Sequence, residues 1–202
     1  MLPLSADIRV RARKIGFDNL QGITWLKVSN INLEASQSAR YLGKPNLPNG
    51  IIKNDTEHIL MLRKPGGYRK PTPWMERESV ITTAEYQEWF TPIWADVTGA
   101  STKNHPAPFP VEIPRRLIRM FSFVGDLVLD PFVGTGTTML AALKTSRNSI
   151  GVEVDTHYAN LAQQRVRTAC SDLFDGADFV FLDHEAAIAM CDGETEMAAA
   201  SR

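Results

Sequence analysis

Cysteine is nearly absent from this sequence: Cys170 and Cys191 are the only two among 202 residues, and they have no metal-ligand spacing. No metal is expected, and a reducing cytoplasm is the compartment that fits. Long apolar runs are missing too. No stretch near Met1 resembles a signal peptide and none is long enough to span a bilayer, so no membrane partner is expected. There is no strong overall charge, the formal net being −1, and no internal repeat. What remains is 44% hydrophobic composition over a length suited to one domain with a sizeable core.

The most informative stretch is Leu127 to Thr138, Leu-Val-Leu-Asp-Pro-Phe-Val-Gly-Thr-Gly-Thr-Thr. Leu127, Val128 and Leu129 form a short apolar run of the kind found in a parallel strand covered on both faces. Pro131 has no N–H to give the ladder, so the strand stops at Asp130. Gly134 and Gly136 allow the backbone to approach a ligand closely. Thr137 and Thr138 then open a helix whose free N–H groups favour an anionic ligand group.

Two cofactor classes are disfavoured by what this turn lacks. A phosphate-gripping P-loop needs Lys and a hydroxyl after its second glycine, and Thr137 follows Gly136 directly. A dinucleotide fingerprint wants a third glycine where Met139 stands, which leaves only a degenerate version open. The following segment, Asn148 to Asp155, reads as a second strand ending in acids. A carboxylate there can accept both hydroxyls of a ribose, and Glu153 is the candidate. A plain strand-helix-strand unit with a capping acid accounts for any one of these features, but poorly for the set.

Asp130-Pro131-Phe132-Val133-Gly134-Thr135-Gly136-Thr137-Thr138, followed by Gly151-Val-Glu-Val-Asp155 and preceded by Asn104-His105-Pro106-Ala107-Pro108-Phe109-Pro110, resembles the amino-methylating DNA methyltransferases in a circularly permuted motif order. The resemblance implies an α/β, Rossmann-like fold with a doubly wound sheet, S-adenosyl-L-methionine as cofactor and double-stranded DNA as partner. It implies that Asp130, Phe132, Gly134, Thr135 and Gly136 surround the methionine end of the cofactor and that Glu153 holds its ribose. Asn104, His105 and Pro106 would close the pocket from the other side.

Charge is unevenly distributed: residues 1–119 hold 17 Lys and Arg against 11 Asp and Glu, a net of +6, and residues 120–202 have a net of −7. A polyanion would prefer the first part, although a solvated surface of uneven charge gives the same count. Ser5 to Ile15 reads as a capped helix stopped by Gly16. Gly22 to Val28 and Glu57 to Arg63 read as strands of one sheet, with Trp25 and Met61 in the core. Between them, residues 29–50 form a long loop. In the resembling enzymes this region faces DNA, so Arg40, Lys44 and Lys53 are candidate phosphate contacts and Tyr41 a stacking residue.

Residues 64–100 look irregular, with Pro65, Pro71, Pro73 and Pro92 and a basic patch that includes Arg69 and Lys70. A target-recognition segment fits this mixture, and Trp74, Trp89, Phe90 and Trp94 serve either DNA contact or core filling. Pro110 to Phe121 reads as a helix with Ile113, Leu117, Ile118 and Phe121 on one face and Arg115, Arg116 and Arg119 on the other. A helix over 157–169 and a strand over 178–182 follow, giving one domain over residues 1–183. Residues 184–202 read as a disordered tail.

One motif of the family is missing. No Asp-Pro-Pro or Ser-Pro-Pro followed by an aromatic occurs here. In the resembling enzymes that segment holds the target amino group and stacks on the flipped base. In the permuted order it would lie upstream of Met1, so no catalytic residue is assigned to this chain. Its strand would sit beside the Leu127 strand, and its loss would leave an edge unpaired. The expectation is an enzyme portion that transfers a methyl group to N4 of cytosine or N6 of adenine once the motif is supplied, for instance by a complementing subunit. A catalytically silent cofactor- or DNA-binding remnant and an RNA or small-molecule methyltransferase stay open as alternatives.

Overall fold

The computed structural model describes residues 4–27, 56–99, 109–173, 180 and 182. The chain divides into a larger unit, Met1–Asp130 with Thr137–Ile150, and a smaller one, Pro131–Gly136 with Gly151–Arg202. The loop expected over 29–50, the strand expected over 178–182 and the tail from 184 lie wholly or largely outside the described residues.

The larger unit begins with α1 (Leu4–Lys14), which ends at Gly16 with a φ of 99° that only glycine adopts without strain. Strand β1 (Asp18–Asn19) follows, then β2 (Ile23–Leu26), β3 (Thr56–Ile59) and β4 (Leu62–Arg63). The expected pairing holds for β2 and β3, which run antiparallel with Trp25 opposite Glu57. β4 leaves that sheet and pairs with β1 instead.

Residues 64–100 are more ordered than their prolines suggested. Thr72 accepts a hydrogen bond from the Met75 N–H and Pro73 occupies the first turn, which starts α2 (Pro73–Glu78). Thr82 and Glu85 form a reciprocal capping box at the start of α3 (Thr83–Trp89). β5 (Ile93–Trp94) then joins β2 in parallel, making a sheet of order β3-β2-β5. The prolines mark helix starts and connections rather than an absence of structure.

Trp89 and Trp94 settle as core residues, buried with Trp25, Ile23, Val97 and Ile113. Each indole that needs an acceptor has one: Trp25 donates to the Val97 carbonyl at 2.7 Å and Trp94 to that of Trp89 at 2.9 Å. Trp74 and Phe90 are exposed instead.

Helix α4 (Glu112–Phe121) carries Pro114 in its first turn, as expected. Its arginine face differs from the expectation. Arg116 is only 4% exposed and bonds Glu88, Asp96 and Glu112, while Arg115, Arg116 and Arg119 all lie over the Trp89 ring at 5.0–5.8 Å. Phe121, assigned to the apolar face, is 54% exposed. The helix is therefore packed on two sides, one apolar and one cationic.

β6 (Leu127–Asp130) ends at the predicted residue and lies beside β7 (Asn148–Gly151) in a two-stranded sheet. α5 (Thr137–Lys144) packs on α4 through Ile118, Ala141 and Ala142. The described residues do not cover β6 on both faces: Leu127 and Leu129 are 60% and 62% exposed, against the burial expected from an apolar run. In the smaller unit, α6 (Thr156–Leu173) extends beyond the predicted 157–169 at both ends.

Candidate functional site

The glycine turn belongs to the smaller unit, where it is held by its backbone. The Val133 N–H donates to the Val152 carbonyl at 3.0 Å and that of Gly136 to the Val133 carbonyl at 2.9 Å. Glu153 ties the turn to the start of α6: one carboxylate oxygen accepts from the Gly134 N–H at 2.8 Å and the other from the Asp155 N–H at 2.9 Å. Each oxygen keeps lone-pair capacity for a hydroxyl donor. Asp155 is the capping acid, accepting from the His157 and Tyr158 N–H groups at the first turn of α6. Capping thus falls to Asp155, and Glu153, two residues earlier, braces the turn.

The two glycines serve different ends. Gly134 and Gly136 have φ of 53° and 81°. A Cβ on Gly136 would lie 3.2 Å from both Cα and Cβ of Ala162, so this glycine is required by the close approach of α6. Arg165 of the same helix donates to the Thr135 carbonyl at 3.3 Å, a further brace on the turn. Phe132 is 87% exposed at the turn's rim.

Asp130, the last residue of β6 before Pro131, belongs to the larger unit. With Thr138 it lines a cavity of ≈590 Å³, within the range of small-molecule sites. The rest of that cavity is mostly apolar, walled by Ile59 at the end of β3, by Met61 just after it and by Leu127 and Leu129 on β6, with Phe109 also in its lining. Thr137 is buried. Asn104, His105 and Pro106 lie outside the described residues.

Of the DNA candidates, Arg40, Tyr41, Lys44 and Lys53 also lie outside the described residues. Arg69 is ion-paired with Asp126, and Lys70 is exposed. Sequence reasoning missed the cluster around Arg116. Its one local signal is Glu112 four residues before Arg116 on the same helix. The other partners come from distant positions. Glu112 is held below the usual carboxylate range, first by its hydrogen bond from Arg115, and Asp96 likewise by Arg116.

A profile of the DNA methylase family that groups N6- and N4-modifying enzymes matches residues 8–164. The type II methyltransferase M.MjaI of Methanocaldococcus jannaschii is 41% identical over 173 residues, covering 82% of this chain and 55% of the relative. M.MthZI of Methanothermobacter thermautotrophicus is 39% identical over 162 residues, covering 75% and 44%. Among solved structures, TTHA0409 of Thermus thermophilus, provisionally named a DNA modification methylase and complexed with S-adenosyl-L-methionine, is similar at a TM-score of 0.70 and 44% identity, covering 88% of this chain and 66% of that one. The chain spans about half the length of the curated relatives it matches. The α/β, Rossmann-like class expected from the sequence is that of the solved relatives.

Proposed function

Because this chain belongs to the N6/N4 DNA methylase family, we propose that it provides the cofactor-binding part of an S-adenosyl-L-methionine-dependent enzyme that methylates an exocyclic amino group in duplex DNA. The observation that carries the reading is Glu153 gripping the glycine turn through the Gly134 N–H while keeping acceptor capacity for ribose hydroxyls. The donor set fits the cofactor. Asp130 supplies a carboxylate for an ammonium group, Gly134 and Gly136 a turn without Cβ atoms, and Glu153 the diol acceptor. Asn104, His105 and Pro106 close the pocket on this reading.

The cofactor, when bound, supplies an electrophilic sulfonium methyl. This chain's residues bind and orient it: Asp130 fixes the amino-acid end, Glu153 fixes the sugar, and Phe132 is available to cover the pocket rim. Positioning of this kind supplies much of the rate when the nucleophile is a weakly basic amino group. The base has to leave the duplex to reach the methyl group. Phosphate contacts from Arg40, Lys44, Lys53, Arg69 and Lys70, with Tyr41 stacking, would hold the duplex. The Pro-Ala-Pro-Phe-Pro form of residues 106–110 resembles cytosine-modifying members of the family slightly more than adenine-modifying ones, which supports N4 of cytosine as the target.

The open apolar wall of β6 favours a second statement about the same enzyme. Leu127 and Leu129 on β6 and Ile59 and Met61 near β3 line one cavity, and β6 has β7 as its sheet neighbour. A strand entering there would cover these side chains and pair with exposed backbone. On this reading the strand leads into the segment that holds the target amino group, whether on a longer form of this chain or on a complementing subunit. The test is mass spectrometry of nucleosides from duplex DNA and from RNA incubated with the cofactor. The chain as given is expected to methylate neither, and addition of a polypeptide carrying the catalytic segment is expected to yield methylated DNA. Methylated RNA, or methylation of neither after addition while cofactor still binds, would contradict the assignment.

A further inference from the structure

A second cavity, of ≈610 Å³, lies in the larger unit and is lined by Arg115, Arg119, Lys144 and Arg147 with Glu78 as the one acid and Trp74 as an aromatic wall. It sits where β6 and β7 begin: Val124 precedes the first and the turn 145–147 leads into the second. Its lining includes none of the residues assigned to the cofactor.

Not all of its cations are neutralised. Arg115 is paired with Glu112 and Arg119 with Glu85. Arg147 is 7% exposed, yet the acceptors of its guanidinium are neutral: the carbonyls of Thr145 and Ser122 and the Ser122 hydroxyl. Three of its five N–H donors are accounted for in this way. A buried guanidinium with only neutral hydrogen-bond acceptors is unusual, because an enclosed charge is normally paired directly. Burial and the nearby Arg119 charge lower its pKa, opposed by Asp126. Lys144, on the last turn of α5, adds a cation with no ion-pair partner among the described residues.

We propose that this cavity binds a phosphate group, with Lys144 and the buried Arg147 supplying the charge and half-exposed Trp74 forming a flat wall beside it. An anion there relieves the repulsion between Arg147 and Arg119 and pairs a buried charge. The bland role of Arg147, holding the carbonyls of Thr145 and Ser122, uses three of its donors and places no carboxylate in hydrogen-bond contact with its charge. The phosphate is either that of a duplex backbone or that of a free nucleotide-like anion.

The other three tryptophans are buried, so Trp74 provides the optical signal. Titration with inorganic pyrophosphate at low salt is expected to change tryptophan emission saturably. Trp74→Phe should remove that signal, and Lys144→Glu should weaken binding at least tenfold. Both positions are exposed enough to be changed without unfolding the chain, and cofactor affinity measured on the same samples should stay unchanged. A duplex titrated across salt concentrations distinguishes the sources. If the duplex backbone is the ligand, Lys144→Gln lowers the slope of log K against log salt by about 1. An unchanged slope with pyrophosphate binding retained assigns the site to a free anion. Failure of pyrophosphate to bind, or binding indifferent to Lys144→Glu, overturns the proposal.

Discussion

The cluster around Trp89 and the strand β6 stand at opposite limits of completion. In the first, three arginines of α4 cover one indole and each has carboxylate partners. In the second, Leu127 and Leu129 point apolar side chains at a cavity that nothing among the described residues fills. Among the described residues only the first is closed. The difference teaches that an apolar run is buried only where the fold brings it a partner, as it does around Trp89 and not, among the described residues, at β6.

Breaking the closed region should have the largest effect. Trp94→Ala removes a fully buried indole and is expected to cost about 3–5 kcal/mol of unfolding free energy. Arg116→Ala strands Glu88, Asp96 and Glu112. It is expected to cost about 3 kcal/mol, the low end for a buried ion pair, because those carboxylates are a third to a half exposed. Chemical denaturation measures both. The same region sets the response to acid. Asp96 and Glu112 have depressed pKa values when folded, so their contribution is full above the ordinary carboxylate range and is lost as pH falls through the folded values. Arg116→Ala should therefore flatten the decline in stability below about pH 4.

Gly136→Ala tests the glycine turn. The positive φ and the 3.2 Å approach to Ala162 should cost about 1–3 kcal/mol and weaken cofactor binding through the displaced turn. Leu129→Ala should have the smallest effect, under about 1 kcal/mol, because the side chain is 62% exposed. The comparison sharpens if the same change becomes severalfold costlier once a covering strand is supplied, as measured by the affinity of that strand.

The sequence disclosed the parts whose chemistry is local. Asp130 ending a strand, the glycine turn, Glu153 after the next strand and the helix from residue 156 are all written in short stretches. The rest depends on distant partners. The sequence puts Arg116 on the face opposite the apolar one and does not reveal its burial, because Glu88 and Asp96, which enclose it, are 28 and 20 residues away. The apolar run 127–129 looked buried because burial depends on what packs against it, and apolar periodicity does not report whether that neighbour is present. Prolines at 71 and 73 suggested irregular chain, whereas Thr72 turned the same residues into a capped helix start.

The central claim is tested most directly by calorimetric titration of S-adenosyl-L-methionine into the purified chain, with Asp130→Ala and Glu153→Gln as controls. The account predicts one binding site, weakened at least tenfold by each substitution while chemical denaturation shows the Trp89 cluster intact. A folded chain that binds no cofactor, or binds it equally well without these carboxylates, would contradict the assignment.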